Sequence, residues 1–335
     1  MAEHFLHLSN QERREILETK AVEIGKDAKI LEKDVWVCWA LSALFSMNNA
    51  HRIAFKGGTS LSKIYTTIDR FSEDVDITID YQELAKAMGD DFDPFEPGQS
   101  RSKIKKFGDR LRNAVTDYAQ QRILPHLQAE LNKFPNADEH RLELKDNGQD
   151  IYVHYPSEIV GDDYMQDWVK IELGGRNVIN PNETHLVTAE LSSHLEMLTF
   201  PSCEVVALSA ERTFWEKVTL VHELCSRGEF RENAERLSRH WYDLYVLLQS
   251  PIAERAIANT ALLENVVAVK LCFYYSGRAN YDQCSNKAFA LTPTQGMVAE
   301  LKVDYANMRT MIYGDAPKFE VMVQALCDLQ AQLNA

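Results

Sequence analysis

The stretch IAFKGGTSLSKIYTTIDRFSEDVDITID, from Ile53 to Asp80, contains the pattern that decides the fold. Its opening apolar run, which ends at Phe55, is typical of a buried strand. Gly57 and Gly58 follow, and a backbone without Cβ atoms can turn tightly there and approach a ligand. We therefore expect a strand, a glycine loop and a helix, whose first N–H groups can bind an anion.

The residues after the glycine pair predict that helix. We expect Thr59 or Ser60 to cap it, because either hydroxyl can accept a hydrogen bond from an N–H group of the first turn. The apolar residues that follow fall on one helical face: Leu61, Ile64, Tyr65 and Ile68. Lys56 precedes two adjacent glycines, so the spacing is not that of a Walker loop.

Strict alternation of apolar and polar residues follows, from Asp74 to Asp80, and predicts a strand. The apolar side chains on one side of this strand are those of Val75, Ile77 and Ile79. Asp74 and Asp76 then share the opposite face. Two carboxylates at i and i+2 can hold Mg²⁺ or Mn²⁺, which also accepts water and substrate phosphate as ligands. The alternative is the solvated face of an edge strand; the glycine loop upstream favours the metal site.

Several motifs together resemble a known family. The order of strand, Gly-Gly-Thr-Ser, helix and Asp-x-Asp resembles the nucleotidyltransferase superfamily. The string FKGGTSLSK…RFSEDVD is similar to the AbiE-type (AbiEii-like) abortive-infection toxins of bacterial toxin–antitoxin systems. Further matching stretches are VKIELGGR, ERTFWEKVTLVHE and RLSRHWYDLYVL. The resemblance runs from about Glu32 to about Leu248, and it implies a metal-dependent enzyme with a nucleoside triphosphate (NTP) as substrate. The residues expected to bind the nucleotide in the first motif are Lys56, Gly57, Gly58, Thr59 and Ser60.

Composition limits the class of protein. With 335 residues, 45% of them hydrophobic, the chain can form one large or two ordinary domains. A net charge of −14 argues against nonspecific coating of nucleic acid. The cysteines show no Cys-x-x-Cys pair, which indicates reduced core residues. No apolar run approaches about 18 residues, and the N-terminus lacks a signal core. We therefore expect a cytoplasmic protein without a membrane partner.

Charged residues on two helices have competing interpretations. The helix predicted from about Ala28 to Asn48 includes Lys33 and Asp34, which we interpret as solvated surface charges. A later helix begins with RSKIKKFGDRLR, whose basic residues are Arg101, Lys103, Lys105, Lys106, Arg110 and Arg112. This patch is a candidate contact for an RNA backbone or nucleotide phosphates. The alternative is a solvated basic helix face.

The middle of the chain predicts further strands. A hairpin is indicated around Asn147-Gly148. In WVKIEL, from Trp168 to Leu173, alternation directs Glu172 away from the core. The resemblance implies that Glu172 is a third carboxylate, if this strand lies beside Asp74 and Asp76. It would complete the metal site or activate the attacking hydroxyl. Without the resemblance, a surface glutamate is the favoured interpretation.

Lys217 lies in the middle of a mostly apolar helical stripe in the segment AERTFWEKVTLVHELC, which Ser209 is expected to cap. Because an unpaired buried ammonium is costly, Lys217 must either snorkel to solvent or meet an anion. The resemblance implies that this anion is the nucleotide's phosphate group.

The last motif, RLSRHWYDLYVLL, places Asp243 opposite the apolar face of its helix, together with Arg236, Arg239 and His240. Arg239 and Asp243 are four residues apart, so a surface ion pair is one interpretation. The resemblance implies instead that Asp243 belongs to the active site. There it would orient Arg239 or Lys217, or contact the nucleotide itself.

These observations predict an α/β (α+β) protein in two domains. Residues 1–205 would form a nucleotidyltransferase-like mixed sheet with flanking helices, and residues 206–335 a mostly helical lobe that completes a cleft for Mg²⁺–NTP. The resemblance implies transfer of a nucleoside monophosphate to an RNA or tRNA 3′ end, with a cognate antitoxin as a possible partner. Two alternatives are phosphotransfer to a protein or small molecule, and nucleotide binding without catalysis.

Overall fold

The chain divides into two compact units in a computed structural model that describes residues 3–145, 147–157, 159 and 166–335. The first, here called the sheet unit, comprises Met1–Thr59, Glu73–Asp91 and Asp109–Ala207. The second, the helical unit, comprises Ser60–Ser72, Phe92–Gly108 and Leu208–Ala335. The helical unit thus includes two segments that precede residue 206. The domain limits of 1–205 and 206–335 stay a prediction.

The strands lie in two sheets. In chain order they are β1 (Glu3–His4), β2 (Ile53–Lys56), β3 (Asp74–Asp80), β4 (Arg141–Leu144), β5 (Asp150–His154), β6 (Trp168–Asn177), β7 (Asn182–Thr188), β8 (Leu198–Thr199) and β9 (Ser202–Leu208). Among the described residues, the larger sheet has the order β4-β5-β6-β3-β2-β9-β7, and β1 pairs with β8. The larger sheet contains parallel and antiparallel pairs, so the predicted mixed α/β class is confirmed.

Helices make up most of the remaining regular structure. They are α1 (Asn10–Ile24), α2 (Ala28–Phe45), α3 (Gly57–Lys63), α4 (Tyr81–Ala87), α5 (Arg101–Tyr118), α6 (Leu124–Leu131), α7 (Ala210–Arg227), α8 (Ser238–Leu248), α9 (Pro251–Ala258), α10 (Thr260–Phe273), α11 (Tyr281–Ser285), α12 (Gln295–Met308) and α13 (Phe319–Asn334). A π-helical turn at Ala119–Ile123 joins α5 to α6. The predicted hairpin around Asn147-Gly148 is present as β4 and β5.

Strand β3 lies in the interior of the sheet, between β6 and β2. Val75, Ile77 and Ile79 on one face are at most 1% exposed. The opposite face is covered as well, since Asp74 and Asp80 are also buried. The edge-strand alternative is therefore wrong, because β3 has a hydrogen-bonded neighbour on both sides and keeps little of either face in water.

The helical unit has its own apolar core, in which the side chains of Trp215 and Trp241 are at most 1% exposed. Helix α8 contacts α7, α9, α12 and α13, so it is enclosed on several sides. Within the described ranges, no single helix is long and apolar enough to span a membrane. The pair α9 and α10 meets that test only jointly, with a bend of 80° between them. The six cysteines are free thiols, and three of them lie in the core as predicted, namely Cys38, Cys225 and Cys284, whereas the other three are half-buried.

Candidate active site

The carboxylates of β3 lie in register with charged residues of both neighbouring strands. Asp76 is the direct partner of Glu172 on the parallel strand β6 and of Lys56 on the antiparallel strand β2. Directly paired residues project from the same face of a sheet. Lys56, Asp76 and Glu172 therefore form one row across three strands. The structure thus satisfies the condition that the strand of Glu172 lies beside Asp74 and Asp76.

Asp74 lies in the neighbouring row of the same face, directly paired with Lys170 of β6. Lys170 donates a hydrogen bond of 2.8 Å to Glu172 and lies 3.3 Å from Asp150. Partial burial alone would lower the pKa of Lys170, but its hydrogen bond to Glu172 contributes to a net upward shift. Sequence reasoning assigned no role to Lys170, although the alternation of β6 already placed it on the face of Glu172.

Gly57 closes one side of the Asp76 carboxylate. Its backbone adopts φ +82°, and a Cβ atom there would lie 2.1 Å from Asp76 Oδ2, far inside contact distance. The glycine is therefore required both by its backbone conformation and by the carboxylate beside it. The sequence predicted close approach to a ligand at this position. What the structure places there is the carboxylate of Asp76.

The helix after the glycine pair differs from its prediction at both ends. Helix α3 begins at Gly57, so neither Thr59 nor Ser60 is its N-cap. Thr59 instead donates its hydroxyl hydrogen bond to the Asp74 carbonyl oxygen, which fastens the glycine loop to the start of β3. The helix ends at Lys63, short of Ile68, because Thr66 adopts the left-handed φ of 46°.

The donor set of β3 fits a hard divalent cation. Asp74 and Asp76 offer carboxylate oxygens from a rigid interior strand, and Mg²⁺ typically takes one or two carboxylates together with water and substrate phosphates. Among the described residues, no three histidine, cysteine, aspartate or glutamate side chains converge as a complete metal site. The carboxylate of Glu172 faces the same side and is half exposed, at 51%.

A second cluster of charges lies inside the helical unit, around the carboxylate of Asp243 on α8. Arg70 binds it in a bidentate manner, with Nε 2.7 Å from Oδ1 and a terminal nitrogen 2.8 Å from Oδ2. Lys217 on α7 contributes its ammonium 2.8 Å from Oδ2. The side chains of Arg70, Lys217 and Asp243 are all at least nine-tenths buried. This is a buried ion triad.

The pKa shifts of the triad reflect burial and charge together. Burial alone would raise the pKa of the Asp243 carboxyl, but Arg70 and Lys217 hold it below its usual range. Burial lowers the pKa of the Lys217 ammonium, while Asp243 opposes that shift. The carboxylate is therefore ionised at neutral pH. Two cations pair with one anion, and Arg239 adds a further positive charge that acts on Lys217.

These contacts correct two predictions. Asp243 does not lie on a solvated surface, because its side chain is 0% exposed where α8 is enclosed by neighbouring helices. Lys217 does not snorkel to water, because Asp243 provides an anion inside the protein. The role of Asp243 in orienting Lys217 stays a prediction. Sequence reasoning missed Arg70, and the only signal was its position in the motif RFSEDVD.

The basic residues of α5 are divided in their contacts. Arg101 donates a 2.5 Å hydrogen bond to the Leu271 carbonyl and lies over the Tyr275 ring, 4.2 Å from its centroid. Three others in the helical unit are exposed: Lys103, Lys105 and Lys106. In the sheet unit, Arg110 and Arg112 form ion pairs with nearby aspartates. The patch offers exposed positive charge mainly through these three lysines.

Comparison with known proteins identifies the family. A model described as nucleotidyl transferase AbiEii toxin, type IV TA (toxin–antitoxin) system, matches residues 39–325. The chain belongs to the AbiEii toxin family. It is therefore a nucleotidyltransferase toxin of a type IV toxin–antitoxin system, and the matched range contains every predicted site residue from Lys56 to Asp243.

The AbiEii chain is also similar to a solved structure, that of MenT4, a nucleotidyltransferase toxin from Mycobacterium tuberculosis H37Rv. The two chains are 13% identical with a TM-score of 0.47, over 96% of this chain and 99% of that chain. No significant match was found among curated proteins. The family assignment rests on the family model and on the motifs it spans.

Proposed function

We propose that this AbiEii family member transfers a nucleoside monophosphate from an NTP to an acceptor hydroxyl, and that the acceptor is an RNA or tRNA 3′ end. One observation carries the proposal. Asp74 and Asp76 share one face of an interior strand, with Gly57 against Asp76 and Glu172 in direct register with it. In the cell the activity would act as a translation-blocking toxin in phage defence, restrained by a cognate antitoxin.

In this proposal Asp74 and Asp76 bind Mg²⁺ or Mn²⁺, and Glu172 assists. The bound ion would supply positive charge to the phosphate oxygens during transfer. The acceptor oxygen forms a bond to the α-phosphorus as the bond between that phosphorus and the bridging oxygen to the β-phosphate breaks. Pyrophosphate leaves with that oxygen. Glu172 takes the proton of the acceptor hydroxyl, and Lys170 orients this carboxylate through its hydrogen bond of 2.8 Å.

The nucleotide's phosphates are assigned to the glycine loop and to basic side chains. Gly58 and Ser60 supply backbone and hydroxyl donors, and Lys56 lies in the same row as Asp76. We also assign Lys217 and Arg239 to the phosphates, with Asp243 holding Lys217 in position through the ion pair of 2.8 Å. A buried ammonium and guanidinium are the side chains that bind phosphate oxygens through charge-assisted hydrogen bonds, which supports this assignment.

The test uses purified protein with total RNA and NTPs that carry the label on either the α- or the γ-phosphate. We expect label from the α-phosphate to enter RNA only when a divalent cation is present. Transfer of γ-label to protein or a small molecule would instead support the phosphotransferase alternative.

The variant Asp76→Asn removes one proposed metal ligand and should abolish transfer. Asp117→Asn, which changes an exposed aspartate on α5 of the sheet unit, is the control and should transfer normally. Absence of any metal-dependent label transfer by the wild-type protein, over all NTPs and total RNA, would refute the proposed activity.

A further inference from the structure

A lysine is completely buried beneath the start of β3. Lys33 on α2 is 0% exposed, and its ammonium forms an ion pair with Glu73, itself only 4% exposed. Our interpretation of Lys33 as a solvated surface charge is therefore wrong. The expectation that charged side chains of a helix face solvent fails here, because α2 packs directly against β3 and β6, which cover this side of the helix.

The same ammonium also contacts the segment that leads into β6. Lys33 donates a hydrogen bond of 3.1 Å to the Gln166 carbonyl oxygen, and its Nζ lies 5.2 Å from the centre of the Trp168 ring. The Lys33 ammonium thus contacts both Glu73, which immediately precedes Asp74, and the beginning of β6, the strand that carries Glu172. All of these contacts are within the sheet unit.

We propose that Lys33 and Glu73 are positioning residues, which fix the spacing and register of the carboxylates Asp74, Asp76 and Glu172. This inference rests on the proposed function, because it concerns the metal-binding carboxylates of that site. Lys33 lies outside residues 39–325, the range matched by the family model. In the proposal Glu73 acts through β3, because it immediately precedes Asp74.

A positioning role of the Lys33–Glu73 pair can be distinguished from a stabilising one by replacing both partners at once. Removing one partner leaves a buried charge without compensation and is strongly destabilising, whereas replacing both partners with apolar residues of similar size is often neutral. By this rule, an apolar pair of similar size at positions 33 and 73 should leave the sheet folded. An apolar pair cannot form the directional hydrogen bonds by which the Lys33 ammonium fixes the first residues of β3 and β6 relative to each other. A metal site requires its ligands to be fixed in this way.

The test compares the double variant Lys33→Met/Glu73→Leu with the wild-type protein. The matched control, Lys302→Met/Glu320→Leu, removes an exposed ion pair of 2.6 Å in the helical unit. Binding of Mn²⁺ is measured by electron paramagnetic resonance of the free ion, without nucleotide. The Mg²⁺ dependence of α-label transfer is measured in parallel, and thermal unfolding reports whether each variant is folded.

We expect the double variant to fold, to bind Mn²⁺ about tenfold more weakly and to need about tenfold more Mg²⁺ for half-maximal transfer. The control should match the wild type in all three measurements. Lys33→Arg keeps the charge and serves as a second variant, with an expected smaller shift in the same direction. A folded variant with wild-type Mn²⁺ binding and Mg²⁺ dependence would overturn this inference while leaving the proposed function intact. Failure of the wild type to transfer label in the presence of a divalent cation would instead overturn the proposed function, and the inference with it.

Discussion

Asp76 on β3 and Glu172 on β6 are direct register partners in a parallel strand pair, with both carboxylates on one face of the sheet. Neighbouring strands lie about 4.8 Å apart, so like charges at paired positions repel each other. Lys170 lies two residues before Glu172 on the same face of β6, with its ammonium 2.8 Å from the Glu172 carboxylate, and offsets part of that repulsion. In the proposed function, a divalent cation held by Asp74 and Asp76 would offset this repulsion further.

Gly57→Ala tests the contact between the glycine loop and Asp76. The added Cβ would lie 2.1 Å from Asp76 Oδ2, so the carboxylate must move. We expect label transfer to fall by about 100-fold or more, because misplacement of catalytic groups by about 1 Å has effects of that size. Gly89→Ala is the control. It imposes similar backbone strain at φ +66° but meets no atom within 4 Å. Equal losses of transfer in the two variants would contradict this explanation.

Glu172→Gln tests the role of the third carboxylate. The side chain is 51% exposed, so its removal should change the free energy of unfolding by less than about 1 kcal/mol. Transfer should nevertheless slow by about 100-fold, the usual contribution of a positioned general base. Glu204→Gln, at an exposed position of β9 in the same sheet, is the comparison. Single-turnover rates at saturating NTP are the measurement, and an unchanged rate for Glu172→Gln would rule out its role as the base.

Asp243→Asn tests the buried triad of the helical unit. The substitution leaves the cations of Arg70 and Lys217 buried without their anion, so we expect a loss of about 3 kcal/mol or more in the free energy of unfolding. Lys217→Met should cost less, about 1 to 3 kcal/mol, because Arg70 still neutralises the carboxylate. Urea denaturation of each variant checks the order. A larger loss for Lys217→Met than for Asp243→Asn would show that the carboxylate is not the centre of the triad.

Glu32 should make stability depend on pH in the sheet unit. Burial raises the pKa of its carboxyl from 4.5 to about 7, partly opposed by a hydrogen bond from Ser157. Between pH 4.5 and about 7, the folded protein therefore keeps a proton on Glu32 that the unfolded chain has lost. This group's contribution to stability falls as pH rises from about 4.5 to about 7, and the loss is complete above that range.

Glu32→Gln removes this titration and keeps an acceptor for the Ser157 hydroxyl. At pH 8 the variant should be more stable than the wild type by about 3 kcal/mol, and at pH 5 by less than about 1 kcal/mol. Thermal or urea unfolding at both pH values is the measurement. Glu300→Gln, at an exposed position of α12, should show no such difference. A stability gain that is the same at pH 5 and pH 8 would refute the assigned pKa shift.

The sequence by itself determined the local features of this protein. Alternation with a period of two predicted β3 and β6 and the faces of Asp76 and Glu172, because side-chain direction in a strand depends only on position along it. The capping box of Ser9 and Glu12 at the start of α1 is a local feature of the same kind, since its hydrogen bonds join residues three apart. The motifs also sufficed for the family.

Only the tertiary structure decided which charges are buried and what they meet. Three charged side chains are at most 3% exposed, those of Lys33, Arg70 and Asp243. Each forms an ion pair with a residue at least 40 positions away in the chain. A helical wheel considers one helix at a time, and the cost of burying a charge is offset by partners that it does not include. The register that brings Asp76 beside Glu172 likewise depends on strand pairing across the sheet, which no local pattern specifies.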